Sequence, residues 1–174
     1  MTAPIKVLHV ITRLDWGGSA ENVIASALAV DSGRFNSLII AGRGETDREL
    51  LSAIGQDKIL LVGGLQRELC PCADLPALFR LAGIFLRERP DIVHTHTSKA
   101  GVLGRWAAFF CRLLGRKIKI VHTFHGHVYY GYFPPLKTKF YIFIEKLTAK
   151  ITDCLVALSE GELRENLERG IGKP

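Results

Sequence analysis

Six apolar runs of strand length, separated by turns and by stretches of helical periodicity, constrain this chain more than any other feature. The runs lie at residues 5–11 (IKVLHVI), 35–41 (FNSLIIA), 58–62 (KILLV), 91–94 (DIVH), 117–123 (KIKIVHT) and 151–158 (ITDCLVAL). Between them apolar residues recur three and four apart, as at Val23, Ile24, Ala27 and Leu28, or at Leu78, Leu81, Ala82, Phe85 and Leu86. Strands alternating with helices pair in parallel, because each helix carries the chain back across the sheet. Strands that are apolar throughout are buried on both faces. The expected fold is therefore α/β, a Rossmann-like parallel sheet with helices on both faces, and 174 residues are enough for one such domain.

Local signals mark the helix ends. Ser19 is expected to cap the first helix, after the turn Thr12-Arg13-Leu14-Asp15-Trp16-Gly17-Gly18. Asp74 is expected to cap a helix with Pro76 in its first turn. Residues 45–54 and 136–150 have helical patterns, and Ser159 is expected to cap a last helix reaching residue 169. Gly17-Gly18 closes a strand-to-helix turn whose backbone amides can face an anion. A simple connecting turn with no ligand fits the same residues.

The candidate chemistry is concentrated between residues 90 and 133, where five of the six histidines lie. His94 and His96 fall at the end of the fourth run, and His125 and His127 just beyond the fifth. In a parallel sheet those are the carboxyl ends of the strands, where ligands bind. Alternation puts His94 and His96 on one side of the chain, and likewise His125 and His127. Two uses are open: a metal site, and a polar cleft for sugar hydroxyls and phosphates. Metal sets in hydrolases commonly include carboxylates. Here Asp91 lies at the wrong end of its strand, and no acid follows either histidine pair until Glu145, so no metal is expected. His9 and His122 lie inside apolar runs and read as core or wall residues. Ser98-Lys99 suits either a phosphate or an ordinary helix start.

Other classes are excluded. G-x-S-x-G is missing, which removes the usual serine hydrolase, and the glycine turn is neither GxGxxG nor a Walker loop. No apolar run reaches the roughly 18 residues of a membrane span, and MTAPIKVLHVI lacks the pattern of a signal peptide. With Cys70, Cys72, Cys111 and Cys154 showing no zinc-ligand spacing, the expectation is a cytoplasmic protein with reduced thiols.

The net charge of +6 arises entirely after residue 100, where 12 basic groups face 6 acidic ones. Basic residues there interleave with Tyr129, Tyr130, Tyr132, Phe133, Phe140, Tyr141 and Phe143. That combination suits an anionic bilayer surface, met peripherally through residues 129–150. A core helix with a solvated basic face is the plain alternative. Nucleic acid is not expected, since no RNA-binding fingerprint is present.

Taken together, KVLHVITRLDWGGSAENV, PDIVHTHTSKAGVLGR, VHTFHGHVYYGYF and DCLVALSEGELRENLERGIGKP resemble the N-terminal domain of family-4 glycosyltransferases of the GT-B fold. The likeness is to bacterial enzymes of capsule, exopolysaccharide and lipopolysaccharide assembly. It implies two Rossmann-like domains, of which residues 1–174 are the acceptor-side one, with the donor-binding domain absent. It implies a retaining, metal-independent transfer from a nucleotide-sugar to a glycan or lipid-linked acceptor, with no cofactor, and no turnover by this half alone. By the same resemblance Gly17 and Gly18 lie against the donor diphosphate or the acceptor. His125 sits beside the transferred sugar as the catalytic group, and His96, Lys99 and His127 line the acceptor side. A binding module, or a metal-dependent α/β enzyme using the histidines, is the alternative.

Overall fold

A computed structural model describes residues 3–43, 46–126 and 134–173. Strands β1 (Ile5–Val10), β2 (Phe35–Gly42), β3 (Ile59–Val62), β4 (Ile92–His96), β5 (Lys119–Thr123) and β6 (Cys154–Val156) form one sheet in the order β3-β2-β1-β4-β5-β6. Every pairing is parallel. Helices α1 (Gly18–Leu28), α2 (Arg48–Ile54), α3 (Pro71–Glu88), α4 (Ser98–Leu113), α5 (Pro135–Ala149) and α6 (Glu160–Glu168) complete the alternation. The expected Rossmann-like α/β fold is borne out.

Two cores separate the layers. On one face Leu8, Val10, Val93 and Ile120 pack beneath Leu81 and Phe85 of α3 and Ala100, Ala107 and Ala108 of α4. On the other, Ile11, Ile39 and Ala41 pack beneath Ala20, Val23 and Ala27 of α1 and Ile54 of α2. Small residues let α4 lie close to the sheet. A Cβ on Gly101 would stand 2.5 Å from His122 Cε1, and one on Gly104 2.7 Å from Thr95 Cγ2.

Several local expectations are corrected. Helix α1 starts at Gly18 with Gly17 as its N-cap, so Ser19 lies inside it. Helix α3 starts at Pro71, whose missing N–H costs nothing in a first turn. Asp74 is thus not the cap, although its carboxylate accepts from the Cys70 amide at 3.1 Å, and Pro76 lies inside the helix. Strand β4 continues to His96, two residues further than its apolar run, while β6 is only three residues long. The Ser159 cap is found as expected, its oxygen accepting from the Glu162 amide at 3.1 Å. All four cysteines are free thiols.

From β1 the chain steps outward to β2 and β3, then returns to lay β4 on the other side of β1. The switch point therefore lies between β1 and β4, and it opens at their carboxyl ends.

Candidate functional site

Pairing of β1 with β4 sets His9 beside His94. His94 and His96, two apart on β4, share that face of the sheet, and the β5 exit brings up His125. The result is a stack of rings. Centroids are 5.2 Å apart for His9 and His94, 4.2 Å for His94 and His96, and 5.3 Å for His96 and His125. Two imidazole contacts run through it, His9 Nδ1 to His96 Nε2 at 3.3 Å and His96 Nδ1 to His125 Nε2 at 3.1 Å. His94 Nε2 meets Thr123 Oγ1 at 2.7 Å.

The stack is neutral at physiological pH. Burial, followed by repulsion from His94, lowers the His9 pKa to about 3. His94 falls to about 4 through burial and then the neighbouring His125. His96 is driven far down by burial and by all three neighbours. For His125 burial also lowers the pKa, opposed by the Glu162 carboxylate. Each ring therefore carries one N–H and one lone pair. His122 is separate. It faces the α4 side, near Thr95 Oγ1 at 3.0 Å and stacked edge-on against Phe124 at 4.7 Å.

The His125 turn is pinned from outside. Gly126 adopts φ 86, which favours glycine, and its amide donates to Glu162 Oε1 at 3.1 Å. The other oxygen of Glu162 accepts from the Leu158 amide at 2.6 Å. Across the crevice, Thr12 Oγ1 after β1 lies 3.4 Å from Thr97 Oγ1 after β4. Thr97 holds φ 62 and ψ 160, a backbone region strained for any residue with a Cβ, at the junction with α4. The α1 start has no side-chain cap, and nothing lies within 4 Å of where a Cβ would stand on Gly17 or Gly18. Gly17 and Gly18 are exposed, and uncapped first-turn amides are the arrangement that receives an anion.

The sequence-predicted residues separate into groups. His96 and His125 are brought into contact, and Gly17 and Gly18 lie at the same carboxyl edge of the sheet. Lys99 turns away: its ammonium is 2.5 Å from Asp74 Oδ1, also donates to the Glu68 carbonyl, and its side chain is only 8% exposed. His96 has no exposed surface. His127 falls outside the described residues. Sequence reasoning missed His9, which is a member of the stack rather than a separate core residue, and also Glu162. Only Glu162 left a trace, as the fourth residue of the capping pattern Ser159-x-x-Glu162.

His9, His94 and His96 each offer a nitrogen, all within 4.8 Å of one another. Three neutral imidazoles suit a borderline divalent ion. However, His9 and His96 already turn nitrogens toward each other, and the group includes no acid to offset an ion's charge.

A sequence profile described as Glycosyltransferase Family 4 matches residues 39–173. The chain belongs to that family. This family-4 domain is 36% identical over 101 residues to the UDP-Gal:alpha-D-GlcNAc-diphosphoundecaprenol alpha-1,3-galactosyltransferase of Escherichia coli. The match covers 58% of this chain and 25% of that enzyme, so it spans about a quarter of the relative's length. Among solved structures, the family-4 domain superposes on a glycosyltransferase from Rickettsia africae ESF-5 with a TM-score of 0.68 and 20% identity, over 99% of this chain and 41% of that one. It also superposes on the UDP-GlcNAc 2-epimerase of Neisseria meningitidis, bound to UDP-GlcNAc, with a TM-score of 0.64 and 17% identity, over 96% of this chain and 44% of that one. At these identities the two structures speak to the fold alone.

Proposed function

We propose that this family-4 domain is the acceptor-side half of a retaining glycosyltransferase, which moves a sugar from a nucleotide-sugar to a cell-surface glycan or lipid-linked acceptor without a metal. The observation that carries the reading is the neutral imidazole stack at the β1–β4 switch point, ending at His125, on the same sheet edge as the uncapped start of α1 at Gly17 and Gly18. In such a transfer the bond from the anomeric carbon to the phosphate oxygen breaks, and a bond to the acceptor oxygen forms on the same face. The acceptor hydroxyl proton leaves with the departing diphosphate. Charge develops on that diphosphate, and N–H donors already in place can stabilise it where no cation does. The α1 amides and His125 are the donors assigned here, with further donor contacts supplied by a second domain. His96, being buried, acts through His125. Lys99 reaches an acceptor only by leaving Asp74, and an acceptor role for His127 rests on the sequence motif. The name of the Escherichia coli relative pairs UDP-Gal with a diphosphoundecaprenol-linked GlcNAc. A UDP-sugar and a lipid-diphosphate-linked sugar are therefore the first substrates to try here.

A lipid-linked acceptor fits the outer surface of α5. Leu136, Phe140 and Phe143 are 82%, 54% and 62% exposed along one side, flanked by exposed Lys137, Lys139 and Lys146. Among the described residues no helix is long and apolar enough to cross a membrane. The domain then works at the cytoplasmic face of an anionic bilayer, with α5 resting on it.

The test combines binding with transfer. The chain 1–174 is titrated with a soluble lipid-diphosphate–GlcNAc analogue while the histidine ring signals are followed by NMR, and then supplied with UDP-sugars in EDTA. Acceptor-dependent shifts at His125 without transfer are expected. Sugar transfer by this chain alone would overturn the half-enzyme reading, and an unmoved His125 would overturn the site.

A further inference from the structure

We propose that His9 and His96 are positioning residues that set the tautomer of His125 through a one-directional chain of imidazole hydrogen bonds. The inference rests on the reading of His125 as the ring that meets the substrate. It starts from the placing of His96, which has no exposed surface and has another imidazole nitrogen against each of its own: His9 Nδ1 at 3.3 Å from Nε2, and His125 Nε2 at 3.1 Å from Nδ1.

A neutral imidazole has one N–H and one lone pair, on opposite sides of the ring. If His96 donates to one neighbour, it must accept from the other. Two arrangements satisfy both contacts. In the outward one, His9 Nδ1–H donates to His96 Nε2 and His96 Nδ1–H donates to His125 Nε2, which leaves His125 with Nδ1–H as a donor. In the inward one, His125 Nε2–H donates to His96 Nδ1 and His96 Nε2–H donates to His9 Nδ1, which leaves His125 Nδ1 as an acceptor. Any mixed state sets two N–H groups or two lone pairs face to face where water does not reach, and forfeits a buried hydrogen bond. The depressed pKa of each ring removes the escape of adding a second proton.

His9, 87 residues from His96 in sequence, is thus coupled to what His125 offers. The outward state suits a departing phosphate, which needs a donor. The inward state suits a sugar hydroxyl, which needs an acceptor. Because the chain reverses only as a whole, the buried end holds the outer ring in one role at a time.

The experiment is ¹⁵N NMR of chain 1–174 labelled in its imidazoles, which separates N–H nitrogens from lone-pair nitrogens ring by ring. The expected result is one direction shared by His9, His96 and His125. His9→Phe keeps a ring but removes its nitrogens, and should shift the balance of His125 tautomers away from that of the unaltered chain. Discordant tautomers in the unaltered chain would overturn the proposal, as would an unchanged His125 in a folded His9→Phe. So would one equivalent of Zn²⁺ bound on these rings in the purified protein. If His9→Phe does not fold, the tautomers of the unaltered chain decide the matter by themselves. None of these readouts involves sugar transfer, so failure here is distinct from failure of the transferase reading.

Discussion

Arg105 on α4 has no exposed surface, and its guanidinium lies 2.8 and 2.9 Å from the two carboxylate oxygens of Glu145 on α5. Arg105 also donates to the Gly101 carbonyl at 2.8 Å, while next to it Trp106 Nε1 donates to Thr148 Oγ1 at 3.2 Å. Glu145 is the only acid on α5. By folding it inward, the ion pair both anchors the helix and leaves an outer face whose ionised groups are all lysines.

Removing one partner should therefore be costly. Glu145→Ala strands a buried guanidinium, with an expected loss of about 3–5 kcal/mol in urea unfolding. The double change Arg105→Met with Glu145→Leu removes both charges and should recover most of that loss. Equal destabilisation by the single and double variants would show that packing, rather than charge, holds α5.

Acid should weaken the fold through its buried histidines. His9 and His94 have folded pKa values of about 3 and about 4, below the unfolded value of 6.5. As pH falls below 6.5 the unfolded chain takes up protons that the folded chain refuses, so stability present above 6.5 is lost down to about 4. Each such histidine adds a slope of up to about 1.4 kcal/mol per pH unit. Urea midpoints between pH 7 and 4.5 test this, with His94→Gln expected to flatten the curve.

Two glycine-to-alanine changes should act in opposite directions. Gly101→Ala drives a methyl group into His122, 2.5 Å away, and should destabilise by about 1–3 kcal/mol. Gly83→Ala on α3 meets nothing within 4 Å and should stabilise by about 0.5–1 kcal/mol. Thermal melts of the pair against the parent decide it.

Membrane contact through α5 is open to direct measurement. The chain should sediment with vesicles rich in phosphatidylglycerol and not with phosphatidylcholine alone. Lys137→Glu with Lys139→Glu should weaken binding by about 1 kcal/mol per lysine or more, with the effect fading at high salt. Phe140→Ser with Phe143→Ser should weaken binding at every salt concentration. Retention of both double variants on anionic vesicles would remove α5 from the interface.

Much of this architecture is legible in residue order because it depends on local pattern. The alternation of apolar runs with helical stripes points to the parallel sheet, and the Ser159 cap depends on contacts three residues apart. The site is legible only in part. His94 and His96 are recognisable from alternation within one strand, and His125 from its place after another. His9 is not, because its partners follow from which strand lies beside β1, and no local signal records that. Lys99 shows the same limit: its spacing suits an anion, yet the neighbouring α3 supplies Asp74 and takes the charge. Nor does any residue type announce the strained backbone at Thr97.

The lateral order of the strands also has a kinetic consequence. During synthesis β1 can pair with β2 early, but its other edge waits for β4, some 85 residues later by the His9–His94 register. Contacts between segments so far apart form slowly, and an unpaired apolar strand edge invites association with other chains. Ribosome-arrested chains ending before β4 should accordingly bind chaperones and stay protease-sensitive, and chains extending past β5 should not. The feature that assembles the histidine stack thus also delays it until β4 and β5 have both been made.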